Sequence, residues 1–114
     1  MSRGALHALT AAFFGLLSVT LLVAPGLIWW TFGMEGGADA AVMGRRAAML
    51  FAGLAVICAV SRHEGGRAVP LGIAAAMGGL AVLGLAEWAR GAVGPGIAVA
   101  VAVELALVLL WLRA

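Results

Sequence analysis

Four charged residues interrupt sequence that is otherwise apolar: Arg45, Arg46, Glu87 and Glu104. A carboxylate in apolar surroundings either pairs with a cation, typically arginine, or serves as a protonatable or ligand-binding group. An ionised side chain at the centre of a membrane helix costs about 2.5–3.5 kcal/mol on insertion scales, so it needs a partner or a role. We therefore predict that these four residues form a partly buried charge cluster.

The depth of these residues in a membrane brings them within reach of one another. At about 1.5 Å per residue from the outer hydrocarbon edge, the two arginines lie about 8 Å deep. Glu87 lies about 4 Å deep, and Glu104 lies about 15 Å deep, near the midplane. Arg45 and Arg46 are about 100° apart on a helix, so one faces the bundle while the other snorkels outward. Two interpretations remain open: Arg–Glu pairs that fix helix register, or Glu104 as a protonatable or ligand-contacting site.

The composition is that of a membrane protein with several helices. The chain has 114 residues, of which 65% are hydrophobic and 11% are charged, whereas a soluble domain carries about 25% charged residues. The net charge is +2, but the arginines are scattered, so no basic cluster predicts nucleic-acid binding. The single cysteine, Cys58, allows neither an internal disulfide nor a paired-cysteine metal site, and we expect it to be a small buried apolar residue.

The apolar runs are long enough for four membrane helices, each of which needs about 20 apolar residues. The first run, Gly4–Met34, has 31 residues and exceeds the roughly 7–15 residues of a signal peptide's apolar segment, so we expect it to be retained. The absence of period-2 alternation favours helices over a barrel. The predicted helices lie at about 5–32, 39–61, 69–90 and 95–113.

Short links between these helices predict an up-down-up-down antiparallel bundle, a single all-α transmembrane domain over residues 1–114. Both termini and the second link then share one side of the membrane. That side holds four arginines, whereas the loops of the other side hold only Arg90, so the positive-inside rule places both termini in the cytoplasm. The protein is then expected in a bacterial inner membrane. The four orienting arginines are Arg3, Arg62, Arg67 and Arg113.

Aromatic residues stand near the predicted helix ends. Trp29, Trp30 and Phe32 are expected to form an outer interfacial belt with Trp88, and Trp111 is expected at the inner interface. His7, near the inner end of the first helix, is either a packing residue at the interface or an axial ligand or quinone contact. Pro25-Gly26 is expected to kink the first helix, and a broken-helix substrate site is the alternative.

Small residues at helical spacing predict helix contacts. On the third predicted helix, Glu87 shares a face with a ridge of small residues that favours close packing, although Arg90 at i+3 is a rival partner for its carboxylate. The fourth helix carries a second ridge roughly opposite Glu104, so both of its faces suit protein contact. The two ridges are Gly72, Ala76 and Gly79, and Ala98, Ala102 and Ala106.

The run Gly44–Leu54 starts with glycine and two arginines, followed by small and aromatic residues, and it comes after a first helix containing Pro25-Gly26. In these features the first half of the chain resembles small DoxX-like and related four-helix bacterial membrane proteins. The resemblance implies a role beside quinone-linked redox enzymes, as an accessory subunit. The small multidrug resistance transporters are of similar length, but their essential glutamate lies in the first helix, and residues 4–34 contain no acid.

These observations favour a small non-enzymatic membrane protein. The loops are too short to hold a catalytic constellation, so an enzyme is not expected. The protein would act as an accessory or assembly subunit of a larger membrane complex, or associate with copies of itself. The expected partners are the lipid bilayer and other membrane subunits, with no nucleic acid and no cofactor predicted. The alternative is a small transporter or channel that uses the intramembrane glutamate and arginine pair to handle protons or anions.

Overall fold

The structure is a computed structural model that describes all 114 residues, and it is entirely helical. Three of its helices are long and apolar enough to cross a membrane, namely Arg3–Val23, Ala38–Val60 and Ala68–Ala89. These findings confirm the predicted helical class and the membrane-type character of the chain. The five helices are α1 (Arg3–Val23), α2 (Pro25–Thr31), α3 (Ala38–Val60), α4 (Ala68–Ala89) and α5 (Ile97–Arg113).

The helices form two compact units, each built around one helix pair. The first unit comprises Met1–Trp30 and Glu35–Glu64 and pairs α1 with α3. The second unit comprises Thr31–Met34 and Gly65–Ala114 and pairs α4 with α5. The short segment Thr31–Met34, which starts at the last residue of α2, therefore belongs to the second unit, although its neighbours along the chain belong to the first.

The predicted continuous helix at 5–32 is divided at Ala24 into α1 and α2. Ala24 has φ −141° and ψ 60°, outside the helical region, and its N–H still donates to the Thr20 carbonyl. Proline disfavours helical geometry in the residue before it and has no N–H to continue the hydrogen-bond ladder, but it fits the first position of a new helix. Pro25 accordingly begins α2, so a full break takes the place of the expected kink.

α1 and α3 run antiparallel in the first unit. Near the start of α1, His7 contacts Cys58, and near its end Ser18 contacts Ala48. The residue numbers on α3 fall as those on α1 rise, which fixes the antiparallel direction. The face of α3 that packs in this register carries small residues, since Gly44 and Ala48 are buried, and small residues let helix backbones approach.

Polar side chains on the buried face of α1 link it to the backbone of α3. Nδ1 of His7 lies 3.0 Å from the Cys58 carbonyl oxygen, and because a carbonyl only accepts, that nitrogen carries the hydrogen. The Ser61 hydroxyl lies 3.3 Å from the same nitrogen and itself donates to the Ile57 carbonyl. His7 is fully buried, and these contacts provide hydrogen-bond partners for its Nδ1 atom.

α4 and α5 form the antiparallel pair of the second unit. Gly84 faces Val101 and Ile97, and further along the pair Gly78 faces Val108. A Cβ atom at Gly84 would lie 3.0 Å from a methyl group of Val101, so any side chain there would require Val101 to shift. Ala81, Ile97 and Val101 form a buried apolar cluster in this unit.

The turn between α4 and α5 is closed by backbone hydrogen bonds. Gly91 adopts φ 74°, and the N–H groups of Gly91 and Ala92 donate to the carbonyls of Trp88 and Glu87. This pattern is the Schellman motif, in which glycine at the left-handed position ends a helix. The predicted break at residues 91–96 is therefore a compact turn.

Candidate functional site

The candidate site is a cavity of about 260 Å³ in the second unit, and both Glu87 and Glu104 line it. Helix geometry explains why two residues 17 positions apart meet at one cavity. In the antiparallel pair, Gly84 lies opposite Val101, which puts Glu104 opposite the level of Ala81 and about two turns from Glu87.

The direction of the side chains narrows this separation. A helical side chain leans towards the N-terminus of its own helix. On α4 this direction carries Glu87 towards the level of Glu104, and on α5 it carries Glu104 towards the level of Glu87. Both carboxylates therefore approach the same space from opposite ends, whereas in a parallel pair both side chains would lean in the same direction.

Glu104 lies on the side of α5 that packs within the unit. The buried residues Val101, Leu107 and Trp111 occur at helical spacing around it, and Glu104 itself is half-buried. Its carboxylate makes no hydrogen bond or ion pair with another residue of the chain. A charged group in this position faces mainly apolar atoms.

Glu87, in contrast, has a partner. One of its carboxylate oxygens lies 2.5 Å from a guanidinium nitrogen of Arg90, the rival partner at i+3 that the sequence indicated. The side chain of Arg90 is 66% exposed and that of Glu87 is 32% exposed, so the pair stands at the open rim of the cavity. Its charge is compensated locally, which leaves Glu104 as the carboxyl group of the cavity that has no partner.

Apolar side chains make up the rest of the cavity wall. They come from one face of α4, from the start of α5, from the turn between them and from the segment after α2. The wall residues besides the two glutamates are Phe32, Met34, Leu80, Leu83, Gly84, Ala92, Val93 and Ile97.

The segment Thr31–Met34 is held in the cavity wall by its backbone. The N–H of Gly94 donates to the Phe32 carbonyl at 2.7 Å. Gly33 has φ 63°, and a Cβ atom there would lie 3.2 Å from the Cα of Gly94. Two glycine-containing turns thus meet, and their contact positions Phe32 against the core formed by Ala81, Ile97 and Val101.

Sequence reasoning missed Phe32 and Met34 as wall residues. Phe32 was expected in an interfacial aromatic belt. The available signal was the recurrence of glycines in both turns, Gly33 in one and Gly94 and Gly96 in the other. Glycine permits close backbone approach, so two such turns indicate a backbone contact.

The two arginines of the predicted cluster lie in the first unit. Arg45 and Arg46 are on α3, and both side chains are exposed. Arg46 lines a shallow groove on α3 with Met49 and Leu50. The structure thus brings the two glutamates together in one unit and places the two arginines in the other, and the four-residue cluster stays a prediction.

The tryptophans differ in their surroundings. Trp30 and Trp88 are exposed, Trp29 is half-buried against Gly44, and Trp111 is fully buried. Of the small-residue ridges, Ala76 is half-buried, while Gly72, Gly79, Ala98, Ala102 and Ala106 are exposed. The face of α4 that packs in the second unit carries Ile73, Met77 and Ala81.

No three His, Cys, Asp or Glu side chains lie close enough together to hold a metal ion. His7 and Cys58 are neighbours in the first unit, where the imidazole contacts the cysteine backbone. The second unit presents two glutamate side chains beside apolar walls. Comparison with protein-family models, with curated proteins and with solved structures finds no match to this chain.

Proposed function

We propose that four segments of this chain cross a membrane. The three long apolar helices support three of the crossings. α5 has 17 residues, but the N–H groups of Ile97 and Ala98 donate to Gly94 and Pro95, which extends the helical path back to the predicted start at residue 95. At about 1.5 Å per residue, residues 95–113 span about 28 Å, close to the hydrocarbon thickness of about 30 Å.

We also propose that both termini lie in the cytoplasm and that the membrane is a bacterial inner membrane. Each antiparallel helix pair begins and ends on one side. The link at residues 61–67 has seven residues and reaches at most about 25 Å when extended, too little to cross again. Both pairs then share a side with Arg62, Arg67 and Arg113, which the positive-inside rule makes cytoplasmic.

Labelling of single cysteines tests this topology. In a Cys58→Ala background, Ser2→Cys and Glu64→Cys are expected to resist a membrane-impermeant maleimide in intact cells, and Gly37→Cys is expected to react. All three should react after the cells are lysed. Labelling of Ser2→Cys and Gly37→Cys from the same side would contradict the four-span arrangement.

The role that we propose is that of a small non-enzymatic subunit that associates through α5. The supporting observation is that Ala98, Ala102 and Ala106 are exposed on α5, while Val101 and Trp111 on another face of the helix are buried. Small residues four positions apart let two membrane helices approach closely. A second copy of the chain is the occupant that we favour, because an alanine ridge is complementary to itself. The DoxX-like resemblance supports an accessory role in a larger complex.

Cross-linking of α5 tests this role. In the Cys58→Ala background, Ala102→Cys should give cross-linked dimers in native membranes, whereas Val103→Cys, about 100° around the helix, should give few. Cross-links to other proteins would instead indicate a larger complex. A monomer in mild detergent with no cross-link and no co-purifying protein would reject the role.

The alternative proposal is a small transporter or channel, which the shared cavity of Glu87 and Glu104 favours. Carboxylates at membrane depth commonly mark proton or ion pathways. Ion or proton flux into liposomes should then fall in Glu104→Gln and in Arg46→Ala. Flux unchanged by both substitutions would remove this alternative.

A further inference from the structure

We propose that the cavity between α4 and α5 binds a small organic monocation with an apolar body. The proposal does not depend on whether the chain forms oligomers, since every wall residue belongs to the second unit of one chain. Nor does it require transport, because binding alone is at issue. It rests on the charge, the lining and the size of the cavity.

The charge of the cavity selects a cation. Glu87 is compensated by Arg90 at the rim, and Glu104, which has no partner in the chain, supplies a negative charge when it is ionised. A charge in surroundings of low dielectric attracts an opposite charge more strongly than it would in water. A ligand with one positive charge therefore matches Glu104, and an anion is repelled.

The apolar wall selects the body of the ligand. Leu80, Leu83 and Ile97 offer no polar side-chain atoms, so they cannot replace the water shell of a metal ion, which prefers several oxygen ligands. Phe32 adds an aromatic ring, and aromatic faces attract organic cations such as quaternary ammonium groups. An alkyl or aryl ammonium group fits both kinds of wall.

The volume limits the ligand to about one ring. The cavity holds about 260 Å³, whereas sites for drug-sized ligands run from about 300 to 1,000 Å³. Benzyltrimethylammonium has a single ring beside a quaternary nitrogen and is a suitable probe. N,N-dimethylbenzamide is a neutral compound of similar size, and phenylacetate is an anionic one.

Isothermal titration calorimetry of the full chain in a non-ionic detergent tests the proposal, with empty micelles as the blank. The cation is expected to bind at least ten times more tightly than the amide, and phenylacetate is expected not to bind. Equal binding of cation and amide by the unmodified chain, or no cation binding at millimolar concentration, would overturn the proposal whatever the variants do.

Two variants locate the site. Glu104→Gln is expected to weaken cation binding at least tenfold, and Glu35→Gln, which removes an exposed carboxylate of the first unit, is expected to leave it unchanged. Leu83→Trp keeps both carboxylates but fills the space, so it should also weaken binding at least tenfold. Binding as tight in Glu104→Gln as in the unmodified chain would show that the carboxylate plays no part and would reject the proposal.

Discussion

The hydroxyl of Ser18 on α1 donates a hydrogen bond of 2.8 Å to the backbone carbonyl of Ala48 on α3. Both residues are buried, and the carbonyl already belongs to a helix. A carbonyl oxygen has two lone pairs, so it accepts this second bond without giving up its helical one. The bond joins the two helices directly through the backbone of one of them.

Replacement of Ser18 by alanine should destabilise the α1–α3 pair. Hydrogen bonds between membrane helices contribute on average about 0.6 kcal/mol and at most about 1.7 kcal/mol, so a loss of about 1 kcal/mol is expected for Ser18→Ala. The control is Thr20→Ala, because the Thr20 hydroxyl bonds the Leu16 carbonyl of its own helix. The free energy of unfolding in mixed micelles should fall more in Ser18→Ala than in Thr20→Ala. Equal losses would show that the interhelical hydrogen bond does not stabilise the pair.

His7→Ala should destabilise the protein more than Ser18→Ala. The substitution empties a fully buried volume and removes the contact with the Cys58 carbonyl. Loss of both packing and hydrogen bonding is expected to cost about 2 kcal/mol or more. The matched variant is His63→Ala, since His63 is exposed in the link after α3. A similar unfolding free energy in both histidine variants would contradict the buried position of His7.

Two glycines of α4 should respond to alanine in opposite directions. At Gly84 an added Cβ would lie 3.0 Å from Val101, whereas at Gly79 nothing lies within 4 Å. Alanine at Gly79 should stabilise the helix by about 0.5–1 kcal/mol, and alanine at Gly84 should overpack the α4–α5 contact and cost about 1 kcal/mol. Thermal unfolding of both variants measures the sign. Stabilisation by Gly84→Ala would mean that the helices do not approach closely there.

Pro25→Ala should join α1 and α2 into one helix. The substitution restores an N–H group and removes the restriction that proline imposes on Ala24. Backbone chemical shifts of Ala24 in micelles should move to helical values. Gly26→Ala is the control, because Gly26 is helical already and has open space around it, and it should leave Ala24 unchanged. A non-helical Ala24 in Pro25→Ala would show that packing, not proline, breaks the helix.

Most of the helix boundaries could be predicted from the sequence. The boundaries predicted at 39–61 and 69–90 differ by one residue at each end from α3, Ala38–Val60, and α4, Ala68–Ala89. Glycine, proline and charged links end apolar helices for reasons that act locally, so local sequence reveals them. The division at Ala24 was harder to foresee, because proline inside an apolar run is compatible with a kink as well as a break.

The candidate site was predicted less completely. The depths estimated for Glu87 and Glu104 put them within reach of each other, and both line the cavity. The contribution of Phe32 depends on the contact between Gly33 and Gly94. These two residues are far apart in sequence, and no local pattern tells which turn meets which.

The sequence by itself determined the helical membrane class, most of the helix ends and the carboxylates available for chemistry, because hydrophobic length and helix-breaking residues act locally. The tertiary structure decided which faces pack. α4 is apolar on all sides, so periodicity does not distinguish the face with Met77 and Gly84, which is buried, from the one with Gly72 and Gly79, which is exposed. Close packing of Gly84 against Val101 and Ile97 distinguishes the buried face, and in this arrangement Glu87 and Glu104 line one cavity.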